Sequence, residues 1–133
     1  MDASAAAALI LPDEDSSMMD SLIKKLNSKS EIWVPSLFWF EFGNIFLSAI
    51  NQKRIDTSLI YEFEKILSYL PIQTDSSEGF AYKQKLISIG IENKLTTYDS
   101  SYLELALRKK INLISLDKNL MKAAIKNGLK KVS

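Results

Sequence analysis

The feature of this sequence that most constrains its fold is the alternation of very short apolar segments with longer amphipathic ones. The apolar segments cover residues 32–34, 71–74 and 113–116, and polar residues flank each of them. Short strands separated by helices pair in parallel, since a parallel connection needs a crossover. The pattern therefore predicts an α/β fold with a short central parallel sheet and helices on both of its faces.

The amphipathic segments between these strands predict helices, several with a recognisable start or stop. Pro12 ends a first, Ala-rich helix, and Ser36 is placed to cap a long one. Gly90 and Gly128 are each placed to end a helix, because glycine adopts the left-handed conformation that follows many helices. The predicted helices cover residues 3–11, 16–26, 36–51, 57–70, 77–89, 98–110 and 118–127, and a last short strand covers 131–132.

The absence of two residue types narrows the possible chemistry. The chain has 133 residues, 47% of them hydrophobic, which is enough for one domain with a single core. It contains no cysteine and no histidine. Disulfides, catalytic thiols, histidine-based triads and ordinary zinc sites are therefore excluded. Any hydrolytic reaction would have to use carboxylates, hydroxyls, lysines and a hard cation.

The amino-terminal apolar run is not expected to cross or enter a membrane. Residues 3–11 are too few to span a bilayer, and Asp2 stands where a secretory leader would be basic. We therefore expect a cytoplasmic protein with no membrane partner.

Two acidic residues stand where a parallel sheet places its ligands. Asp117 directly follows the segment 113–116, and ligands of open parallel sheets bind beyond the carboxyl ends of the strands. The alternative is that Asp117 only caps the helix that follows it. Asp99 lies near the start of its predicted helix, where the helix dipole alone would favour a carboxylate.

A third acidic residue, Glu41, lies in the most apolar stretch of the chain, WVPSLFWFEFGNIFLSAI. Burying an unpaired charge is costly, so this carboxylate must reach solvent, pair or bind a metal ion. Helical spacing places Asn44 and Ser48 on the same side, which is also compatible with an ordinary solvent-facing stripe. Asp2 opens the first helix, and its alternative is a solvated chain terminus.

Four sequence motifs, in order along the chain, resemble those of PIN domains of the VapC toxin type. Asp2-Ala3-Ser4 with the Ala/Leu helix resembles the first, and Val34-Pro35-Ser36-Leu37 with Glu41 and Asn44 the second. The third resemblance is Leu95-Thr96-Thr97-Tyr98-Asp99 with Tyr102-Leu103-Glu104-Leu105-Ala106, and the fourth is Leu113-Ile114-Ser115-Leu116-Asp117 with Leu120.

The resemblance implies a single PIN domain over residues 1–133, with a three-layer α/β/α sandwich and the activity of a metal-dependent endoribonuclease. The acidic residues of the family correspond to Asp2, Glu41, Asp99 and Asp117. Toxins of this type are usually homodimers neutralised by a cognate antitoxin, whose tail reaches toward the acidic site.

The chemistry of such a site also follows from its ligands. Four converging carboxylates repel one another and need cations, and oxygen ligands alone favour Mg²⁺ or Mn²⁺ over Zn²⁺. We assign Asp2, Glu41 and Asp99 to metal coordination, and Asp117 either to direct coordination or to holding metal-bound waters. Nearby polar side chains would orient this shell, namely Ser4, Asn44 and Ser115.

Substrate contacts are expected from the basic end of the chain. Lys118, Lys122 and Lys126 repeat every four residues and form one stripe, and Arg108 and Lys109 add a cluster. These side chains could follow the phosphates of an RNA strand, or they could be an ordinary solvated helix face. The aromatic residues Trp33, Phe38, Trp39 and Phe40 could stack bases but are more typical of a core or a dimer interface.

The sequence departs from the family at its start. PIN domains have an apolar strand before the first Asp, whereas Met1 alone precedes Asp2 here, so the first strand is missing from this chain. Without a central strand, N–H and C=O groups would be unpaired across a gap of about 10 Å. Upstream residues of the natural product, a strand from another segment or chain, or a damaged protein would each explain this. We expect that the natural product has upstream residues. The absence of an in-frame upstream start would count against this explanation.

Three other functions remain open at this point. The chain could be an inactive PIN-like module that binds proteins, or a PIN nuclease of RNA processing rather than a toxin. It could also be a phosphatase with Asp2 as nucleophile, although Ser4 stands where such enzymes commonly place a second Asp.

Overall fold

The computed structural model describes residues 1–130. Helices dominate the chain, and two short strands lie between them. The elements in chain order are α1 (Ala3–Ala8), α2 (Ser17–Ile23), β1 (Ile32–Pro35), α3 (Leu37–Asn51), α4 (Leu59–Ser68), β2 (Ile72–Asp75), α5 (Phe80–Asn93), α6 (Thr97–Lys109) and α7 (Lys118–Lys126).

The two strands pair in parallel, as the sequence predicts. Ile32 lies opposite Ile72, and Pro35 lies opposite Asp75. In β1, Val34 is fully buried, because helices pack against this strand. The short parallel sheet within an α/β/α fold is therefore confirmed, and it directs the carboxyl ends of both strands toward one side of the molecule.

The helix α6 is the centre of the helical packing. It contacts β1, α5 and α7, and its residues 100–106 are all buried. On the other side, α1 packs against α3, and the small side chains of Ala5 and Ala6 are completely buried there. Small residues let two helices approach closely, so these alanines bring the start of α1 near the middle of α3.

A row of aromatic rings fixes α3 against α4. Phe38 stacks on Phe42 with ring centroids 5.6 Å apart, and Phe42 contacts Phe46 at 4.7 Å. Phe46 in turn packs on Phe63 of α4 at 4.3 Å. Aromatic contacts of this kind contribute about 1 kcal/mol each beyond the area that they bury. The row holds one side of α3 in place and thereby sets the direction of Glu41.

The predicted strand over residues 113–116 is not formed, and this expectation is wrong. Leu113 and Ser115 are buried in an extended segment, but the segment has no ladder of backbone hydrogen bonds within the described part of the chain. The Asp2 N–H donates to the Ile114 carbonyl at 2.9 Å, and the Met1 amino group donates to the Trp33 carbonyl of β1 at 3.2 Å. Met1 and Asp2 thus lie between β1 and this segment, and two residues are too few for a strand.

Gly90 does not end its helix, contrary to the prediction. The helix α5 continues through Gly90 to Asn93 and ends with Lys94 in the left-handed conformation, at φ 55°. A Cβ atom at Gly90 would lie 2.9 Å from the carbonyl oxygen of Leu95. Glycine is needed here because the chain after α5 folds back onto it, toward the start of α6.

Other helix boundaries differ less from the prediction. The second helix ends at Ile23 rather than at residue 26, and the helix predicted from residue 77 begins at Phe80. The last short strand predicted over residues 131–132 lies outside the described residues. Within residues 1–130, no helix has both the length and the apolar character needed to cross a bilayer.

Candidate active site

The four acidic residues singled out in the sequence line one cavity of about 310 Å³. They reach it from the starts of α1, α6 and α7 and from the middle of α3. The side chains that line this acidic cavity are Asp2, Ser4, Glu41, Asn44, Asp99, Tyr102 and Asp117, together with Ala3 and Ile45.

Asp2 is a buried, fully bonded carboxylate and not a solvated terminus. Its side chain caps α1, where Oδ1 accepts hydrogen bonds from the Ala5 N–H and the Ser4 hydroxyl, both at 2.9 Å. Oδ2 accepts a hydrogen bond from the Ser115 hydroxyl. Only 6% of Asp2 is exposed. These donors hold the carboxylate at the wall of the cavity.

Ser115 connects two of the acidic residues. Its hydroxyl donates to Asp2 and accepts a hydrogen bond from the Asp117 N–H at 2.9 Å. A single buried hydroxyl therefore links the Asp2 carboxylate to the backbone of Asp117. The role predicted for Ser115, to orient the ligands of a metal ion, stays a prediction.

Asp117 both caps a helix and lines the cavity. Its Oδ1 accepts from the backbone N–H groups of Asn119 at 2.7 Å and Leu120 at 2.8 Å, at the start of α7. Both capping bonds use the same oxygen, so Oδ2 has no part in the cap. The two interpretations of Asp117 that the sequence leaves open are therefore compatible in this fold.

Asp99 lies in the first turn of α6, and Thr96 holds it there. The Thr96 hydroxyl donates to the Asp99 carboxylate at 2.9 Å and accepts from the Asp99 N–H at 3.1 Å. Burial raises the pKa of Asp99, and the charges of Asp117 and Asp2 raise it further against the opposing hydrogen bond from Thr96. The pKa of Asp99 thus depends on the charges of the neighbouring carboxylates.

Glu41 is paired with a neutral donor, the hydroxyl of Tyr102, at 2.5 Å. Burial raises the pKa of Glu41, the hydrogen bond from Tyr102 lowers it, and the charges of Asp99 and Asp2 raise it again, with a net rise. Tyr102 belongs to the third motif, but the sequence-based assignments give it no role. Its position three residues after Asp99 places both side chains on one side of α6, and this spacing could have indicated that Tyr102 belongs to the site.

The donor set of the cavity suits a divalent cation. No basic side chain lines it among the described residues. Within the same residues, no three acidic side chains stand close enough together to hold an ion directly. Mg²⁺ commonly binds through only one or two carboxylates and keeps several waters, so this cavity fits such an ion with water in its inner shell.

The predicted RNA-contacting residues do not form one surface. Arg108 is engaged by carboxylates, with hydrogen bonds to Glu104 at 2.9 Å and Asp75 at 2.8 Å, and Lys109 lies 3.3 Å from the Trp33 ring centroid. Lys118 follows Asp117 and is exposed near the acidic cavity. The two remaining basic residues, Lys122 and Lys126, line a separate depression with Asn93, Lys94, Asn119 and Ala123.

The aromatic residues of α3 divide between the core and the surface. Phe38 is completely buried, whereas 42% of Trp39 and 74% of Phe40 remain exposed. Trp39, Phe46 and other apolar side chains of α3 and α4 line a groove of about 470 Å³. Trp33 of β1 is half-buried beneath Lys109.

Comparison with known proteins agrees with this architecture. The sequence matches the family model described as PIN domain over residues 1–126. No curated protein matches it. The structure is similar to the crystal structure of PAE2754 from Pyrobaculum aerophilum, with a TM-score of 0.68 and 24% identity over 92% of this chain and 76% of that chain. That likeness bears on the fold alone, but the family match spans nearly all of the sequence, and the chain belongs to the PIN domain family.

Proposed function

We propose that this protein is a Mg²⁺- or Mn²⁺-dependent endoribonuclease that acts in the cytoplasm as the toxin of a toxin–antitoxin pair. The observation that carries the proposal is the convergence of Asp2, Glu41, Asp99 and Asp117 on one cavity with no basic residue among the side chains that line it in residues 1–130. PIN domains are generally nucleases, and family members usually use divalent metal ions.

Among the described residues no three acidic side chains can hold one ion together, so at most two of Asp2, Glu41, Asp99 and Asp117 would hold the cation directly, and the others would hold it through its waters. A bound divalent ion supplies an activated water and neutralises the charge that develops on the leaving oxygen of a phosphodiester. The protein residues position these groups. Ser115 links the Asp2 carboxylate to the backbone of Asp117, and Tyr102 donates a hydrogen bond to Glu41 at the cavity.

Asn44 is the neutral polar side chain best placed to contact substrate. It lies on α3 and lines the acidic cavity with an exposed amide. An amide can donate to a phosphate oxygen without adding charge to a site that already has several carboxylates. We therefore assign Asn44 to orienting the phosphodiester or a water beside it.

The expected protein partners are a second copy of this chain and the cognate antitoxin. The groove between α3 and α4 supports a protein partner, because it is lined almost entirely by apolar side chains such as Trp39, Leu47 and Ile60. Exposed apolar patches of this kind are typical of interaction surfaces.

The proposal is tested by cleavage of single-stranded RNA with and without Mg²⁺ or Mn²⁺. Asp99→Asn should abolish cleavage while the thermal unfolding transition persists, because the amide keeps the shape but not the charge. Asp56→Asn is the matched control, since Asp56 is exposed and its carboxylate accepts a hydrogen bond from the Ser58 N–H in the turn before α4. RNA cleavage by Asp99→Asn at the wild-type rate would refute the assignment.

A second candidate is an inactive PIN-like module that binds proteins, which the apolar groove between α3 and α4 favours. Metal titration separates the two, because an ion that binds only the folded state must raise the melting temperature. A toxin differs from a PIN nuclease of RNA processing in its gene neighbourhood, where a small DNA-binding antitoxin would be encoded beside it.

A further inference from the structure

A second cavity opens beside the acidic one, at the carboxyl ends of the two strands. It has a volume of about 420 Å³ and is bounded by the residues that follow β1 and β2 and by the first turns of α5 and α6. Parallel sheets bind their ligands in this position, where strands end and helices begin. A volume of this size is within the usual range for small organic ligands.

The lining of this second cavity combines aromatic rings with hydroxyl groups. Tyr98 and Tyr82 contribute rings, and Leu37 and Leu86 contribute aliphatic side chains. Tyr98 is 60% exposed although it is large and apolar over most of its surface. Four hydroxyl groups line it, those of Ser36, Ser77, Thr97 and Ser101. Ser101 already donates to the Tyr98 carbonyl and Ser77 accepts from Arg108, so Ser36 and Thr97 offer the exposed hydroxyls.

The charge of the second cavity distinguishes it from the acidic one. Lys83 and Glu78 are the charged side chains that line it in the described part of the chain, and they balance each other. Lys83 also lies near the Tyr82 ring, 5.9 Å from its centroid. A pocket without net charge, with rings and hydroxyl groups, suits a flat polar ring better than a phosphate or a metal ion.

The two cavities share the helices that form them. Tyr98 lines the second cavity and the next residue, Asp99, lines the acidic one. On α3, Leu37 lines the second cavity and Glu41 the acidic one, and these residues are four positions apart, or about 6 Å along the axis. A nucleotide with its phosphate in the acidic cavity can therefore place its own base, or the adjacent base, in the second.

From this arrangement we propose that the second cavity binds the base next to the scissile phosphate, stacked on the Tyr98 ring. The inference rests on the proposed nuclease function and adds a subsite for single-stranded substrate. Stacking on an aromatic side chain is tolerant of base identity, and the hydroxyl groups add the hydrogen bonds that discriminate among bases. Tyr98 is thus a substrate-binding residue, and the metal-binding acids do not depend on it.

The first experiment compares RNA oligonucleotides that differ by one base. One substrate carries an abasic nucleotide on the 5′ side of the cut site, a second carries it on the 3′ side, and a third is complete. The wild type should cleave the complete RNA with a kcat/KM about 5- to 150-fold higher than one of the abasic substrates. Tyr98→Ala should cleave both at similar rates, with the change in KM rather than kcat, and Tyr98→Phe should restore the preference.

Tyr61→Ala is the matched control, because Tyr61 is an exposed tyrosine of α4, where 75% of it is accessible. It should keep the wild-type preference. An unchanged preference in Tyr98→Ala at both positions overturns the inference, as does a wild type that shows no preference for the complete RNA. Either result leaves the nuclease function standing, since the complete RNA is still cleaved.

A second measurement does not depend on cleavage. AMP and UMP are titrated into the wild-type protein and followed by amide chemical shifts, with inorganic phosphate as the comparison. Saturable shifts at Gly79 and Ser101, absent at the distant Gly128 and abolished in Tyr98→Ala, are expected for both nucleotides. The same shifts with inorganic phosphate alone, or no saturable shifts, overturn the inference. Nucleotide binding without RNA cleavage would keep the subsite and refute the nuclease.

Discussion

The hydroxyl of Tyr102 donates a 2.5 Å hydrogen bond to the carboxylate of Glu41 and so joins α6 to α3 across the acidic cavity. Burial and the neighbouring Glu41 raise the pKa of Tyr102 far above its usual range, so the phenol remains the donor at any ordinary pH. The Glu41 carboxylate thus has a neutral hydrogen-bond donor, and its charge stays available to a cation.

Tyr102→Phe should impair the site more than the fold. The phenylalanine fills the same volume but leaves the Glu41 carboxylate without its donor, so the pKa of Glu41 rises further and its ionised form becomes scarcer. We expect RNA cleavage at neutral pH to fall by about 10- to 100-fold. The acidic limb of the pH–rate profile should move to higher pH. A profile that keeps its wild-type position would show that Tyr102 does not tune Glu41.

Asp99→Asn should stabilise the protein when no divalent ion is added. Since the pKa of Asp99 is raised in the folded state, its ionisation opposes folding as pH rises above the unfolded value of 3.8. The amide removes this penalty, so the melting temperature at neutral pH should rise. Each kcal/mol corresponds to about 4 °C in a domain of this size.

Addition of Mg²⁺ or Mn²⁺ should make the wild type more stable than Asp99→Asn. An ion present at 100 times its dissociation constant stabilises the folded wild type by about 2.7 kcal/mol, whereas Asp99→Asn should gain much less. Differential scanning calorimetry across a metal titration measures both effects. A lower melting temperature of metal-free Asp99→Asn would contradict the expected repulsion among the carboxylates.

Arg108 is expected to contribute to stability rather than to RNA binding. Its guanidinium pairs with Glu104, whose side chain is 1% exposed and also accepts a hydrogen bond from Lys85, so the loss of Arg108 should cost about 1–3 kcal/mol. Arg108→Met should therefore unfold at lower denaturant concentration. Arg54→Met is the matched control, because Arg54 pairs with Asp13, which is 48% exposed, and such pairs contribute less than about 1 kcal/mol.

The pH dependence of the same cluster has a definite sign. Burial alone would raise the pKa of Glu104 and Asp75, but hydrogen bonds from Arg108, together with those from Lys85 to Glu104 and from Ser77 to Asp75, outweigh it and hold both pKa values below their usual range. This contribution to stability is complete above the unfolded pKa of 4.5 and is lost as pH falls through the folded pKa. The difference between wild type and Arg108→Met should shrink from neutral pH to below pH 3.8.

Lys118 and Lys122 are the exposed cations of α7 through which we expect RNA phosphates to bind. Removing one phosphate-binding lysine should reduce the slope of log binding constant against log salt by about 0.7 for a single strand. Lys118→Ala and Lys122→Ala should weaken RNA binding in this way at unchanged melting temperature. Lys24→Ala, an exposed lysine after α2, is the control. Slopes equal to that of the wild type would leave α7 as an ordinary solvated helix.

Two glycines that lie within helices, Gly43 of α3 and Gly90 of α5, should respond oppositely to substitution by alanine. A Cβ atom at Gly90 would lie 2.9 Å from the Leu95 carbonyl and 3.2 Å from the Ser100 Oγ, whereas one at Gly43 meets nothing within 4 Å. Gly90→Ala should destabilise by about 1–3 kcal/mol through this overlap. Gly43→Ala should stabilise by about 0.5–1 kcal/mol, because alanine favours the helix. Denaturant unfolding of both variants measures the contrast.

The helices and the β1–β2 pair can be predicted from the sequence because their signals are local. Asp117 caps the start of α7 with its side chain, whereas Ser36 precedes α3 without the predicted side-chain cap, and apolar periodicity marks the rest of each helix. The segment 113–116 has the same local signal, but a strand also needs a partner along its length, and one hydrogen bond from Asp2 does not supply it. The prediction at Gly90 is wrong for the same reason, since the chain that approaches this glycine belongs to another element.

The acidic residues are recognisable from their motifs, but their partners are not. Glu41 and Tyr102 are 61 positions apart, and no periodicity relates them. The charge of Arg108 suggests RNA binding, although Glu104 stands four residues before it in the sequence. An i,i+4 pair of opposite charges on a helix is a readable signal, and it favours an internal ion pair here.

The cap that Asp117 provides gives α7 a second property. The amide protons of Asn119 and Leu120 are held by the same carboxylate that lines the acidic cavity. Exchange of these two protons with solvent requires Asp117 to leave its cap, and any ligand that draws the carboxylate away speeds that exchange. Hydrogen exchange at these two backbone amides would therefore detect a ligand that displaces the Asp117 carboxylate, without any need for RNA cleavage.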